Sequence, residues 1–381
     1  MRYEGVEGKK YLVAKQIVFT ICLRPPGGFY ERSILIIFDE VQETALALTS
    51  LKYFCENAPQ YHLVAAGSLL GVALHPGTSF PVGKVEFMDL YPLSFIEFLN
   101  ATGNEDLVNL LETKDFDLIK SFKGKYIDLL KQYYYIGGMP EVVNSFIETQ
   151  DYTEVREVQN RLLMAYEQDF SKHAPNDTVP RIRMLWTSIP AQLARENRKF
   201  VYGLIRQGAR AKEYELAMQW LLDCGLIYKV GRITKPDMPL MAYQDFNAFK
   251  LFVLDVGLLS AMSGLDIKSL LEGDRVFEEF KGALTEQYVL QQLTVNKNIT
   301  PFYWTAERST GEIDFIFQNG MNIVPLEVKA SESLQAKSLK NYYLKYNPKC
   351  AIRTSMSDYR KEEWLTNLPL YSINGILNVL Q

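Results

Sequence analysis

Apolar and polar positions alternate most cleanly near the C-terminus, over Glu312-Ile-Asp314-Phe-Ile-Phe-Gln-Asn319-Gly320-Met-Asn-Ile-Val-Pro-Leu-Glu327-Val-Lys329. A period of two predicts half-buried strands, and Asn-Gly between two such runs predicts a tight hairpin. A type I′ turn needs positive φ at both central residues, which Asn and Gly tolerate. A turn on Asn319-Gly320 sets Gln318 opposite Met321, Asp314 opposite Pro325 and Glu312 opposite Glu327. One face then carries Ile313, Phe315, Phe317, Val324, Leu326 and Val328, and the other Glu312, Asp314, Glu327 and Lys329. Asp314 and Glu327 become diagonal neighbours, roughly 7–8 Å apart. Glu312 facing Glu327 calls for a cation or a basic group between them.

A second pattern is the unbroken apolar run Ser33-Ile-Leu-Ile-Ile-Phe38 ending in Asp39-Glu40, which predicts a buried parallel strand with two acids at its tip. Tyr61–Ala66, ending in Gly67-Ser68, predicts its parallel neighbour, and Ala45–Asn57 the crossover helix. Ser94 and Glu97 form a capping box that opens a mostly helical stretch over 96–172, broken at Tyr135-Ile-Gly137-Gly138-Met-Pro140. Helices near 180–196, 199–206 and 211–223, followed by strands near 225–232 and 249–254, follow the winged-helix order. Arg206, Arg210 and Lys212 enter the third helix, where phosphate contacts are made, whereas Glu213, Glu215 and Asp223 favour a module that only packs. In the helix predicted over Phe280–Leu293, Glu286 lies on an apolar stripe with Ala283, Val289, Leu290 and Leu293. A charge in that position needs a buried partner.

Composition narrows the class. The 381 residues, 48% hydrophobic with a net charge of −4, describe a protein of several packed domains and not a globally basic nucleic-acid binder. Cys22, Cys55, Cys224 and Cys350 are scattered, which points to a reducing, cytoplasmic setting without structural zinc. The three histidines are isolated, so neither a His-based metal site nor a Ser-His-Asp triad is expected. The apolar run Tyr11–Leu23 is too short to span a bilayer and lacks a cleavage site, so no membrane association is expected.

The acids suggest chemistry. Two carboxylates supply hard oxygen ligands for Mg²⁺, and a lysine beside them can orient or deprotonate an attacking water. The alternative is a solvated sheet face with an ordinary surface glutamate. The pattern Asp314-x12-Glu327-x-Lys329 resembles the PD-(D/E)xK nucleases, and that resemblance implies a further carboxylate from a preceding helix, here Glu286. Phe38-Asp39-Glu40 resembles a Walker B strand: Asp39 would hold the Mg²⁺ of ATP, Glu40 would activate water, and Ser68 matches a sensor position. No G-x-x-x-x-G-K-[ST] loop occurs; Gly77–Val85 comes nearest but has the wrong spacing and follows the Walker B strand. The first strand, phosphate loop and helix of an ATPase core are expected to be missing from this chain.

Together with Gly83-Lys84-Val85, Tyr91-Pro-Leu-Ser-Phe95 and the Gly137-Gly138 break, these motifs resemble the bacterial and archaeal AAA-type ATPases with a C-terminal nuclease-like domain of unknown function. The resemblance implies a multidomain α/β chain: a truncated P-loop ATPase core (1–95), a helical lid (96–175), a winged helix (176–265) and a restriction-endonuclease-like domain (266–381). Three functions are expected in competition. The first is an ATP-binding, ATPase-like protein impaired in hydrolysis. The second is an active Mg²⁺-dependent nuclease with a vestigial ATPase. The third is a non-enzymatic DNA-binding or scaffold protein. Nucleic acid and a protein partner, or a second copy of the chain, are the expected partners.

Overall fold

A computed structural model describes residues 2–6, 9–14, 17–22, 35–41, 45–67, 83–195, 198–272, 278–306, 311–333 and 335–380. The chain divides into two compact units, one of residues 1–90 with 219–225 and one of residues 91–218 with 226–381.

The first unit is a five-stranded sheet in the order β1 (Arg2–Val6), β2 (Lys9–Ala14), β3 (Ile17–Cys22), β4 (Leu35–Phe38), β5 (His62–Ala65). The N-terminal residues, an interrupted apolar run in the sequence, form an antiparallel meander whose third strand pairs with β4. β4 and β5 are parallel and α1 (Ala45–Asn57) crosses between them, as the two apolar runs predict. Phe38, Val41, Ala47, Leu48 and Leu51 form the core, and Phe38 meets Phe54 edge-on at 5.7 Å. At the strand tips Ala66 N–H donates to Phe38 O at 2.7 Å and Val41 N–H to Ala66 O at 3.0 Å. Asp39 and Glu40 are thereby held in an exposed bend between β4 and α1. Ser68, Gln42 and most of the Gly77–Val85 loop lie outside the described residues.

The second unit begins with helices: α2 (Phe95–Ala101), α3 (Glu105–Thr113), α4 (Phe116–Ser121), α5 (Lys123–Ile136), α6 (Pro140–Thr149), α7 (Tyr152–His173) and α8 (Val179–Leu193). α2 opens on the capping box, with both reciprocal bonds between Ser94 and Glu97 formed. α9 (Ala211–Asp223) follows, with its last turn in the first unit. Then come β6 (Ile227–Ile233), β7 (Gln244–Val253), α10 (Val256–Met262), α11 (Ile267–Glu272), α12 (Glu278–Thr294), β8 (Phe302–Thr305), β9 (Glu312–Asn319), β10 (Asn322–Val328), α13 (Lys337–Tyr346), β11 (Ile352–Ser355), β12 (Arg360–Lys361), β13 (Thr366–Pro369) and α14 (Ile376–Val379).

The Gly137-Gly138 break is a packing device. Buried Asp255 accepts hydrogen bonds from Gly138 N–H at 2.7 Å, Leu258 N–H at 3.0 Å and Gln291 Nε2 at 3.1 Å. A side chain on Gly137 would strike Asp255, and one on Gly138 would strike the Leu93 backbone. The Tyr91–Phe95 and Tyr135–Pro140 motifs meet here, with Leu93 N–H donating to Gly138 O at 2.7 Å.

Two expectations are corrected. The eight-stranded sheet runs β12-β13-β11-β10-β9-β8-β6-β7, so the β6–β7 hairpin read as a free wing is joined through β8 to the C-terminal hairpin. The helix expected over 199–206 is only a single 3₁₀ turn at Tyr202–Leu204. Phe200 N–H donates to Phe249 O at 2.9 Å on β7, and this edge pairing captures a segment that propensity alone made helical. Arg206 is ion-paired with Glu213 at 3.2 Å on the surface.

The hairpin register is also shifted by two. Asn319 pairs with Asn322, Gln318 with Ile323, Phe317 with Val324, Ile316 with Pro325 and Phe315 with Leu326. The turn centres on Gly320-Met321, with φ +58° at Gly320 and no positive φ at Met321, the pattern of a type II′ turn. An even shift keeps every side chain on its expected face, so burial cannot choose between the two registers. The turn chooses: type II′ needs positive φ only at glycine, whereas type I′ needs it at Asn319 as well.

Candidate functional site

Carrying the register one pair beyond Phe315–Leu326 sets Asp314 directly opposite Glu327, not diagonal to it. Val328 N–H donates to Asp314 Oδ2 at 2.7 Å, which pins that carboxyl across the hairpin. The polar face is largely covered: Glu327 is only 4% exposed, and Glu312, Asp314 and Lys329 are half-buried. Glu286 comes in from α12, buried on the predicted apolar stripe of Ala283, Val289, Leu290 and Leu293. Glu286, Glu312, Asp314, Glu327, Lys329 and Arg198 line one cavity of about 650 Å³.

Burial of this many acids requires cations, and two come from outside the hairpin. Lys250 of β7 is wholly enclosed, its Nζ 2.5 Å from Glu312 and 3.4 Å from Glu286. Arg198, on the segment after α8, ion-pairs with the other Glu286 oxygen. Lys329 Nζ lies 2.6 Å from Glu327 Oε1, while Glu327 Oε2 is buried without a hydrogen-bond partner. The basic group that an acidic face required is therefore present, although it sits on Glu312 and not between Glu312 and Glu327.

The electrostatics follow from this packing. Burial pushes Asp314 well above the usual carboxylate range, and the neighbouring Glu286 charge pushes it further. Burial works the same way on Glu286, but Arg198 and Lys250 outweigh it and hold that carboxyl below its ordinary value. The proton of the Asp314–Glu286 hydrogen bond therefore belongs to Asp314. Burial raises Glu312 against the pull of Lys250. It also opposes the charges of Lys250 and Arg198, yet the surrounding carboxylates prevail and raise both.

Among the described residues no group of three or more His, Cys, Asp or Glu stands ready to hold a metal ion. The pair Asp314–Glu327 does fit one. The two are neighbours across the hairpin on a cavity wall, and Glu327 Oε2 is an unmatched acceptor. Mg²⁺ commonly uses one or two carboxylates and completes its shell with water. Glu286 does not fit in this arrangement, because cations hold both of its oxygens.

In the first unit Asp39 and Glu40 are both exposed. Glu40 takes φ +50° and its N–H donates to Asp39 Oδ1 at 3.0 Å, so the acids shape a turn at the tip of β4.

Sequence reasoning missed Arg198, Lys250 and Gly282, whose missing side chain makes room for Arg198. Lys250 did carry a signal: it interrupts Ala248-Phe-Lys-Leu-Phe-Val253, where a lysine with apolar neighbours on both sides demands a buried partner. Arg198 carried none, since nothing local distinguishes it from a surface arginine.

Comparison with known families matches residues 10–99 to an AAA domain, residues 127–269 to a domain of unknown function (DUF8612) and residues 281–373 to another (DUF4143). No curated protein and no solved structure matches the chain. The AAA match covers β4, Asp39, Glu40 and α1, and supports a P-loop-like, ATPase-like core in a mixed α/β protein. At the level of that family it implies dependence on nucleotide and Mg²⁺. No helix among the described residues is long and apolar enough to cross a membrane.

Proposed function

We propose that the chain is an ATPase-like protein whose C-terminal sheet carries a nuclease-type site directed at phosphodiesters, with Asp314 and Glu327 as the metal-binding pair. The observation that carries this reading is the meeting of Asp314, Glu327 and Lys329, with Glu286 behind them, on the wall of one cavity. Their setting is a helix, three antiparallel strands, a helix and a strand parallel to the third (α12-β8-β9-β10-α13-β11), with Glu286 on the helix that precedes the hairpin. In this reading residues 266–381 form the nuclease-like domain, with β6 and β7 added to its sheet, and 1–95 the ATPase-like core with 96–175 as its lid. Nucleic acid is the partner.

A divalent ion, when bound, supplies a Lewis acid for the phosphoryl oxygen. The chain's own groups do the rest. Asp314 and Glu327 hold the charge in place through the hairpin register. Lys329, ion-paired with Glu327, would orient the attacking water and offset the charge that develops on the transition state. Calorimetric titration with Mg²⁺ and Mn²⁺ tests this reading. Wild type is expected to bind at one site, Asp314→Asn and Glu327→Gln to lose that binding, and Lys329→Ala to keep or strengthen it while DNA cleavage disappears. Absence of site-specific binding in wild type, even with nucleic acid present, would defeat the nuclease reading.

A second reading, a non-enzymatic nucleic-acid-binding or scaffold protein, is favoured by the way Arg198 and Lys250 satisfy Glu286 without any metal.

A further inference from the structure

We propose that Arg198 is a built-in cationic plug of the carboxylate site: its guanidinium takes the Glu286 carboxylate, which joins Asp314 and Glu327 around a divalent ion only when Arg198 withdraws. The inference rests on the metal reading of Asp314 and Glu327 and adds a third ligand together with the device that withholds it.

Three observations support a seat built for a removable group. The seat itself comes first: Gly282 lies one helical turn before Glu286 on α12, and a Cβ there would stand 2.6 Å from the Arg198 guanidinium. Any other residue at 282 would push Arg198 aside. Next is strain. Arg198 takes φ +48°, a left-handed conformation that disfavours side-chain-bearing residues, and its Nε is buried without a hydrogen-bond partner. The backbone is tied by Arg198 N–H donating to Arg195 O at 3.2 Å, while the side chain is held over the site at its guanidinium end, on Glu286. The contrast with Lys250 is the last. That lysine touches the same Glu286 but is fixed within β7, fully enclosed and bonded to Glu312 at 2.5 Å. The Arg198 side chain is 16% exposed and lines the cavity. Of the two cations on Glu286, Lys250 is the permanent partner and Arg198 the one with a way out.

Removing a competing cation and adding a carboxylate both strengthen the hold on a divalent ion. Mn²⁺ binding to the full chain, followed by calorimetry and by the electron paramagnetic resonance of free Mn²⁺, reads this without any activity. Arg198→Gln is expected to tighten Mn²⁺ binding roughly tenfold or more, by the added ligand charge. Gly282→Ala, which keeps both charges and only crowds the seat, should tighten it in the same direction by a smaller factor. It also decides the matter if Arg198→Gln does not fold. Adding Glu286→Gln to either variant should erase the gain. Wild-type binding through Asp314 and Glu327 with no gain in either variant overturns the plug and leaves the two-carboxylate reading standing. A complete lack of binding in wild type and both variants overturns the plug and that reading together.

Discussion

Asp39–Glu40 and Asp314–Glu327 are the same two side-chain types near the ends of strands, in opposite surroundings. At the tip of β4 both acids are exposed, and the hydrogen bond between them, Glu40 N–H to Asp39 Oδ1, is local. Both side chains reach the surface there, so their charges lie where exposure costs little. On the hairpin the acids are partly or wholly buried beside Glu286 of α12 and Lys250 of β7, where an unpaired charge would be costly. The chain therefore brings Arg198, Lys250 and Lys329 to them from three separate elements. A buried acidic site carries its countercharges with it and can be read from coordinates. An exposed one stays silent until its ligand binds.

Lys250→Met strikes that contrast hardest. It removes the ion pair that Lys250 makes with both Glu312 and Glu286, and removing one member of a buried ion pair costs about 3–5 kcal/mol. Chemical denaturation should show that loss in the second unit. A loss below about 1 kcal/mol would mean the cluster is as hydrated as the β4 tip, and the comparison would collapse.

A smaller effect lies in the pH dependence of stability. Asp314 is raised in the folded protein, so the native state holds its proton to higher pH than the unfolded chain does. Stability from this group is fully present below the ordinary aspartate value and falls as pH rises through the window up to its raised folded value. The slope approaches about 1.4 kcal/mol per pH unit for one proton. Glu286 is held low and works in the opposite sense, losing its contribution only in acid. Asp314→Asn keeps a hydrogen-bond donor toward Glu286 without a titrating proton. Its stability relative to wild type should therefore climb across that window, and parallel curves for the two proteins would refute the shared-proton picture.

The smallest effect belongs to the exposed pair. Asp39→Asn and Glu40→Gln should leave stability within about 0.5 kcal/mol of wild type, as exposed substitutions usually do. No phosphate loop of the G-x-x-x-x-G-K-[ST] kind occurs in the sequence to position a substrate at these acids, and ATP hydrolysis is expected below the rate typical of AAA-type ATPases. Steady-state phosphate release that Glu40→Gln removes would show that the β4 tip is a working site.

Local pattern revealed much of this protein because local physics decided it. The parallel β4–β5 pair, its crossover helix, the capping box at Ser94, the Gly137-Gly138 break and the two faces of the C-terminal hairpin all follow from periodicity, caps and turn residues. Side-chain alternation placed Asp314, Glu327 and Lys329 on one face whichever even register the turn selected. Glu286 was legible as a charge on an apolar stripe that demanded a partner.

What the sequence could not decide was what meets what across the fold. The turn chose Gly320-Met321 over Asn319-Gly320 by a difference in backbone φ that leaves no trace in hydrophobic pattern. β7 joined the C-terminal sheet instead of forming a free wing, because β8 offered its edge to β6. Lys250 and Arg198 reached Glu286 across 36 and 88 residues of chain. Alternation and capping act over a few residues, so they are written in order along the chain; the pairing of buried charges is set by which elements stack, and only the packed tertiary structure decides it.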